Sequence, residues 1–246
     1  MRYFAELAYN GTSYFGWQRQ PDQISVQATI EESLSTLLEE KIDIVGCGRT
    51  DTGVHASQYF IHFDVEQALH EKFVHRLNKF LPKDISFFQF IKVQDNAHAR
   101  YDACYRRYAY YLDLQKNPFA QNTGFYYYFA NQIDQNLLQQ AAEILLDYHE
   151  FFPFCKSNND LKSMVCELKK CEWEFQDNRY IFHIAANRFL RGMVRLIVGM
   201  CLNVGLGKLS LEEVKVALDN QTRLSKSWSI PPQGLFLEEI KYNFSF

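Results

Sequence analysis

A chain of 246 residues with 22% charged residues, 11 Gly and 6 Pro is neither disordered nor fibrous, and at roughly 150 residues per domain it makes one large domain or two small ones. Its 26 Lys+Arg against 29 Asp+Glu give a formal charge of −3, which argues against a polyanion bound over the whole surface but leaves room for a local basic groove. Six cysteines, at 47, 104, 155, 166, 171 and 201, form no C-x-x-C and have no adjacent histidine pair, so no metal is expected and buried reduced thiols are.

The chain opens MRYFAE, with Glu6 where a signal peptide needs its apolar core, and the apolar stretch Met193 to Leu206 is broken by Arg195 and Asn203. A soluble cytoplasmic protein without a membrane partner is the expectation. Arg2 to Tyr9 alternates like a strand and runs into the polar turn Asn10-Gly11-Thr12-Ser13-Tyr14. From Ser25, a candidate cap, Val26, Ile30, Leu34, Leu37 and Leu38 mark one face of a helix. Residues 42–47 read as a strand, 48–56 as a Gly-rich loop, 57–65 as a strand, 69–80 as a helix stopping before Pro82, and 85–93 as a strand.

The second half loosely repeats that order. A strand is predicted over 105–114 and a helix after Asp134, followed by strands at 165–176 and 179–187, a long helix from 188, a shorter one at 211–219 and a closing strand at 235–242. The predicted fold is α+β: two ferredoxin-like halves joined into one mixed, mainly antiparallel sheet, with helices packed on it and a central basic cleft. The halves are 1–103, carrying the Gly-rich loop, and 104–246.

That loop is Gly48-Arg49-Thr50-Asp51-Thr52-Gly53-Val54-His55-Ala56. A carboxylate on a Gly-flanked turn, with a cation two residues before it, can be held ionised and presented from a rigid sheet; an Asp bonding its own turn is the plainer alternative. Asp51-Thr52-Gly53 also spells the aspartic-protease signature. That chemistry needs two carboxylates sharing a proton, and the chain has no second D-[ST]-G. His55 and His62 lack partners at metal-ligand spacing and are expected to be satisfied structural histidines.

Charge is segregated along the chain. From Asn178 to Leu211 there are five cations, Arg179, Arg188, Arg191, Arg195 and Lys208, and no acid. On a helix starting at 188, Arg188, Arg191 and Arg195 would share one face, beside the small residues Gly192, Gly199 and Asn203, which would leave space for a ligand. A third segment, His98 to Tyr110, interleaves cations with aromatics, and as a strand it would put Arg106, Tyr108 and Tyr110 on one face, suited to stacking on single-stranded RNA.

Together these segments resemble the bacterial tRNA pseudouridine synthase A family over nearly the whole chain. Tyr9-Asn10-Gly11-Thr12 with Gly16-Trp17-Gln18-Arg19-Gln20 is similar to its opening motif, 48–56 to its catalytic loop, Arg106-Arg107-Tyr108 to its stacking segment, Phe189 to Gly199 to its basic helix, and Gly234-Leu235-Phe236-Leu237 to its closing strand. The resemblance implies cofactor-independent isomerisation of uridine to pseudouridine at positions 38, 39 and 40 of the tRNA anticodon stem-loop, by a homodimer with tRNA lying across both subunits. It gives Asp51 the place of the catalytic aspartate, Arg195 that of its arginine partner, Tyr108 that of the tyrosine stacked on the target base, and Arg49 that of the arginine near the flipped nucleotide. Arg188 and Arg191 are candidate phosphate contacts.

The sequence departs from the pattern at Asn10 (usually Asp), Gly192 (commonly His), Cys166 (frequently Arg) and the segment Phe151-Phe152-Pro153-Phe154. These departures bear on substrate range rather than on chemistry. A non-catalytic tRNA-binding or tRNA-folding protein on the same fold is the alternative, disfavoured because a binder has no use for a carboxylate facing phosphate.

Overall fold

The computed structural model describes residues 1–156 and 163–244. The chain divides into two compact units, Met1–Arg106 with the residues from Phe236 onward, and Arg107–Leu235. Both are α+β with mostly antiparallel strands, so the fold class read from the periodicity holds at that level.

In the first unit, β1 (Arg2–Tyr9) runs antiparallel to both β3 (His55–Asp64) and β4 (Ile85–Val93), with Arg2 opposite Asp64 on one side and Val93 on the other. Its period of two buries Tyr3, Ala5, Leu7 and Tyr9. Helix α1 (Val26–Leu38) starts at Ser25, whose hydroxyl accepts the Ala28 N–H at 3.2 Å, and buries Ile30 and Leu34. Helix α2 (Phe73–Phe80) is pinned to β4 by the Asn78 amide, which donates to the Phe87 carbonyl at 2.8 Å and accepts its N–H at 2.7 Å. The strand predicted over 42–47 shrinks to a two-residue pair, β2 (Val45–Gly46), on β3. The last strand, β9 (Leu235–Tyr242), belongs with this unit through Phe236 and Leu237, which pair in parallel with His55 and Ala56.

Strand β5 (Ala103–Asp113) carries the chain into the second unit, where β7 (Leu168–Gln176) and β8 (Arg179–Ala186) form a tight hairpin with Gln176 opposite Arg179. A short strand, β6 (Phe125–Tyr126), lies parallel to β5. Helix α3 (Gln135–Glu143) is capped by Asp134, whose carboxylate accepts the Asn136 and Leu137 N–H groups. Helix α5 (Leu211–Asp219) opens with a capping box formed by Ser210 and Glu213.

Between these lies α4 (Met193–Gly205), and here the structure corrects the sequence-based expectation. The helix starts at Met193, not near 188, because Gly192 sits in the left-handed region at φ 71° and residues 188–190 have no regular structure. Twelve of its 13 residues are buried, Arg195 being the exception, so α4 is a core helix rather than a surface helix with a basic stripe.

Candidate functional site

In the first unit, the loop of residues 47–54 between β2 and β3 is held at several points along its path. The Cys47 N–H donates to the Phe60 carbonyl at 2.9 Å, and the Cys47 carbonyl accepts from Arg106 Nη2 at 2.8 Å. The Tyr59 phenol donates to the Gly48 carbonyl. Thr50 is buried, its hydroxyl 2.8 Å from the Tyr9 phenol and its carbonyl accepting the Trp17 N–H at 3.2 Å. The Val54 N–H closes a turn onto the Asp51 carbonyl at 3.1 Å, with Gly53 at φ 75° inside it.

The opening motif packs against this loop without room to spare. A Cβ on Gly11 would lie 2.0 Å from the Val54 carbonyl oxygen, and one on Gly16, which has φ 87°, would lie 2.6 Å from that of Thr50. Asp51 is half-buried, and its neighbours Arg49 and Thr52 are exposed. Carbonyls 47, 48, 50 and 51 are all hydrogen-bonded, so the carboxylate is carried on a backbone with little freedom to move.

His55 ends this loop as a buried residue. Its Nδ1 accepts the Gly11 N–H at 3.1 Å, which places the ring proton of the neutral imidazole on Nε2, and its ring stacks on Phe236 with centroids 4.4 Å apart. His62 is buried too, its Nδ1 accepting the Ala99 N–H at 3.0 Å. Burial, with the Arg2 guanidinium and the neighbouring His98 adding to it, pushes its imidazole down to about 4. Both are structural histidines, as their isolation in the sequence suggests.

In the second unit, Tyr108 on β5 is half-buried and meets Phe189 edge-on, with centroids 5.2 Å apart. Two residues on, Tyr110 is fully buried and its hydroxyl donates to the Pro231 carbonyl at 2.8 Å, making it a core residue. Arg195 on α4 donates from Nε to the Ile230 carbonyl at 2.7 Å, and the Ile230 N–H donates back to the Arg195 carbonyl at 3.3 Å.

Arg188 and Arg191 lie outside the helix, so the three arginines form no helical row. Arg188 is half-buried and reaches the Ser163 carbonyl at 3.5 Å; Arg191 is exposed, and its carbonyl accepts the Lys156 N–H at 3.2 Å. Arg179 is engaged by the Asp113 carboxylate at 2.6 Å. The small residues expected to leave room for a ligand are filled by the chain itself. A Cβ on Gly199 would lie 1.9 Å from the Trp228 carbonyl oxygen, one on Gly192 would lie 2.6 to 2.9 Å from the Lys156 side chain, and the Asn203 amide reaches the Lys226 carbonyl at 3.4 Å.

Two of the departures noted in the sequence, Asn10 and Cys166, have clear local surroundings. Asn10 Oδ1 accepts both the Thr12 N–H at 3.0 Å and its hydroxyl at 2.6 Å, bonds that a carboxylate oxygen would accept equally. Cys166 is buried, and burial pushes its thiol up to about 11. None of the six cysteines forms a disulfide. Among the described residues no group of three or more His, Cys, Asp or Glu could hold a metal ion, and no helix is long and apolar enough to cross a membrane.

Of the supports of the loop, Tyr59 escapes sequence reasoning altogether, Arg106 is read there as a substrate-stacking residue rather than a support, and Tyr9 is read only as the first residue of the opening motif. The one available signal is the alternation of β1, which puts Tyr9 on its buried face.

Comparison with known proteins supplies what geometry leaves open. A family model described as tRNA pseudouridine synthase matches residues 5–102 and 141–243, spans that hold Arg49, Asp51, Arg188, Arg191 and Arg195 but not Tyr108. The tRNA pseudouridine synthase A of Azobacteroides pseudotrichonymphae is 42% identical over 242 residues, covering 98% of this chain and 96% of that protein. The protein of the same name from Bacteroides fragilis is 42% identical with the same coverage, and that from Caldicellulosiruptor bescii is 33% identical over 96% of this chain and 97% of its own length. With the match extending over most of the chain and holding Asp51 in the middle of its first segment, the chain belongs to the tRNA pseudouridine synthase family.

Proposed function

We propose that the protein isomerises uridine to pseudouridine in the anticodon stem-loop of tRNA, at positions 38, 39 and 40, with Asp51 as the catalytic carboxylate. The observation that carries this reading is Asp51 itself: it stands within the family-matched segment, on a loop whose carbonyls on either side are tied down.

The reaction breaks the N1–C1′ bond, turns the uracil and rejoins it through C5, whose hydrogen leaves to solvent while N1 regains one. The sugar passes through an electron-poor C1′, much as in glycoside hydrolysis, so an ionised carboxylate beside the ribose serves as nucleophile at C1′ or as base toward the 2′ proton. No cofactor is required. Fixed geometry matters here because a carboxylate held in place need not be reorganised as charge develops.

On this reading Tyr108 stacks on the target base, Arg195 takes the place of the arginine partner of the catalytic carboxylate, and Arg49 lies near the flipped nucleotide. Extruding the base costs a few kcal/mol, which phosphate contacts to Arg188 and Arg191 help to offset. The half-buried Tyr108 ring and the exposed Arg49 and Arg191 side chains fit such contacts. On this reading the protein acts as a homodimer in the cytoplasm, its two units being ferredoxin-like halves.

The test is direct. Purified protein incubated with unmodified tRNA should yield pseudouridine detectable by mass spectrometry in the anticodon arm, and Asp51→Asn should yield none. Product from the variant at the wild-type rate would remove Asp51 from the chemistry. Binding without product from the wild type would favour a non-catalytic tRNA-binding protein.

A further inference from the structure

Arg106 is the first cation of the Arg106-Arg107-Tyr108 segment, which sequence reasoning connects with stacking on substrate. Its guanidinium is instead spread over the main chain. Nη2 donates to the Cys47 carbonyl at 2.8 Å and to the Arg100 carbonyl at 2.8 Å, and Nη1 donates to the Ala103 carbonyl at 3.0 Å. Only a planar group with several donors in a fixed fork reaches three carbonyls from two chain segments at once; an ammonium on a flexible stem does not reproduce that geometry.

The two segments it joins are each fixed elsewhere. Cys47 begins the Asp51 loop, and its N–H is held by the Phe60 carbonyl on β3, so both peptide groups of Cys47 are bonded. The 98–103 turn is docked on β3 through the Ala99 N–H to His62 Nδ1 at 3.0 Å. It is closed by the His98 N–H to the Asp102 carboxylate at 2.7 Å and covered by the Tyr242 hydroxyl, which donates to the Ala99 carbonyl at 2.8 Å. Arg106 therefore ties the entry of the loop to a rigid turn. Tyr59 takes the next carbonyl, Gly48, and Tyr9 and Trp17 take Thr50. Of these ties, the one at Cys47 comes from a charged donor, and hydrogen bonds from a charged donor are roughly twice as strong as neutral ones.

We infer that Arg106 is a positioning residue for the isomerisation: it acts through the Cys47 carbonyl to fix the path of residues 47–51, and thereby the placement of the Asp51 carboxylate. The inference rests on the assignment of Asp51 as the catalytic group. It predicts a loss in the rate of the chemical step rather than in tRNA affinity, since the guanidinium is occupied by the protein's own backbone. Misplacement of a reacting group by about 1 Å lowers rates by up to about a hundredfold.

The experiment is single-turnover release of tritium from uracil-5-labelled tRNA, with enzyme in excess, for wild type, Arg106→Lys and Arg106→Ala, alongside tRNA affinity by filter binding and thermal unfolding. The alanine variant should release tritium about ten- to a hundredfold more slowly with its affinity unchanged within about twofold. Lysine should fall between the two, and added methylguanidinium should restore part of the alanine variant's rate. A wild-type rate in Arg106→Ala, or a rate loss matched by a loss of affinity and not relieved by methylguanidinium, would overturn the assignment. If Arg106→Ala does not fold, Arg106→Lys decides: a slowed rate at unchanged affinity supports positioning, and a wild-type rate rejects it. Absence of tritium release from the wild type would instead overturn the proposed reaction.

Discussion

The Tyr9 phenol and the Thr50 hydroxyl are buried and 2.8 Å apart, so the end of β1 holds the residue immediately before Asp51. Removing the phenol leaves the Thr50 hydroxyl buried without this partner. Tyr9→Phe should lower stability by about 1–2 kcal/mol, read by thermal or denaturant unfolding. It should also slow tritium release more than it weakens tRNA binding. A variant as stable and as fast as wild type would mean that the loop does not depend on this bond.

Two glycines beside the same loop should respond in opposite ways. Gly16 has φ 87°, and a Cβ there meets the Thr50 carbonyl oxygen at 2.6 Å, whereas one on Gly48 meets nothing within 4 Å. Gly16→Ala should destabilise the fold by about 1–3 kcal/mol through backbone strain and the clash, while Gly48→Ala should stay within about 0.5 kcal/mol of wild type. Equal unfolding midpoints for the two variants would contradict the packing described.

His62 gives the fold an acid limb. Its imidazole is pushed down to about 4, chiefly by burial, from an ordinary value of 6.5. In the unfolded chain it takes a proton near pH 6.5, but in the folded chain only near 4, so falling pH favours unfolding across that window and has no effect through this group above it. The loss should grow progressively from about pH 6.5 down to about pH 4. His62→Gln, which keeps an acceptor for the Ala99 N–H, should flatten that limb in pH-dependent unfolding. An equally steep limb in the variant would assign the acid sensitivity to other groups.

Arg188 and Arg191 stand on the loop ahead of α4 rather than on its face. Arg188→Ala combined with Arg191→Ala should therefore weaken tRNA binding without unfolding the core helix, and the slope of log affinity against log salt should drop by about one for each phosphate that is no longer neutralised. Unchanged affinity across a salt titration would remove both from the RNA-binding surface.

What the sequence makes legible here is local. β1, β4, α5 and β9 announce themselves by periods of two or 3.6 together with a nearby cap or turn residue, and all four lie where those signals put them. The start of α4 is missed because Arg188, Phe189, Leu190 and Arg191 keep a helical period up to Gly192, whose left-handed backbone ends it. The apparent groove at Gly199 and Asn203 is misread for a different reason. The segment that fills it, Lys226 to Ile230, is distant in the chain, and no local pattern says where it returns. The candidate site divides along the same line. Asp51 stands out as a carboxylate on a Gly-flanked turn, while its supports, Tyr9, Tyr59 and Arg106, come from three other elements and acquire meaning only in three dimensions.

On the proposed reading, Asp51 carries the chemistry of uridine isomerisation. The measurement that tests it most directly is tritium release from uracil-5-labelled, unmodified tRNA by wild type and by Asp51→Asn, with tRNA binding measured on both. The expected result is steady release by the wild type and none by the variant, which still binds tRNA. Release by Asp51→Asn at the wild-type rate would contradict it.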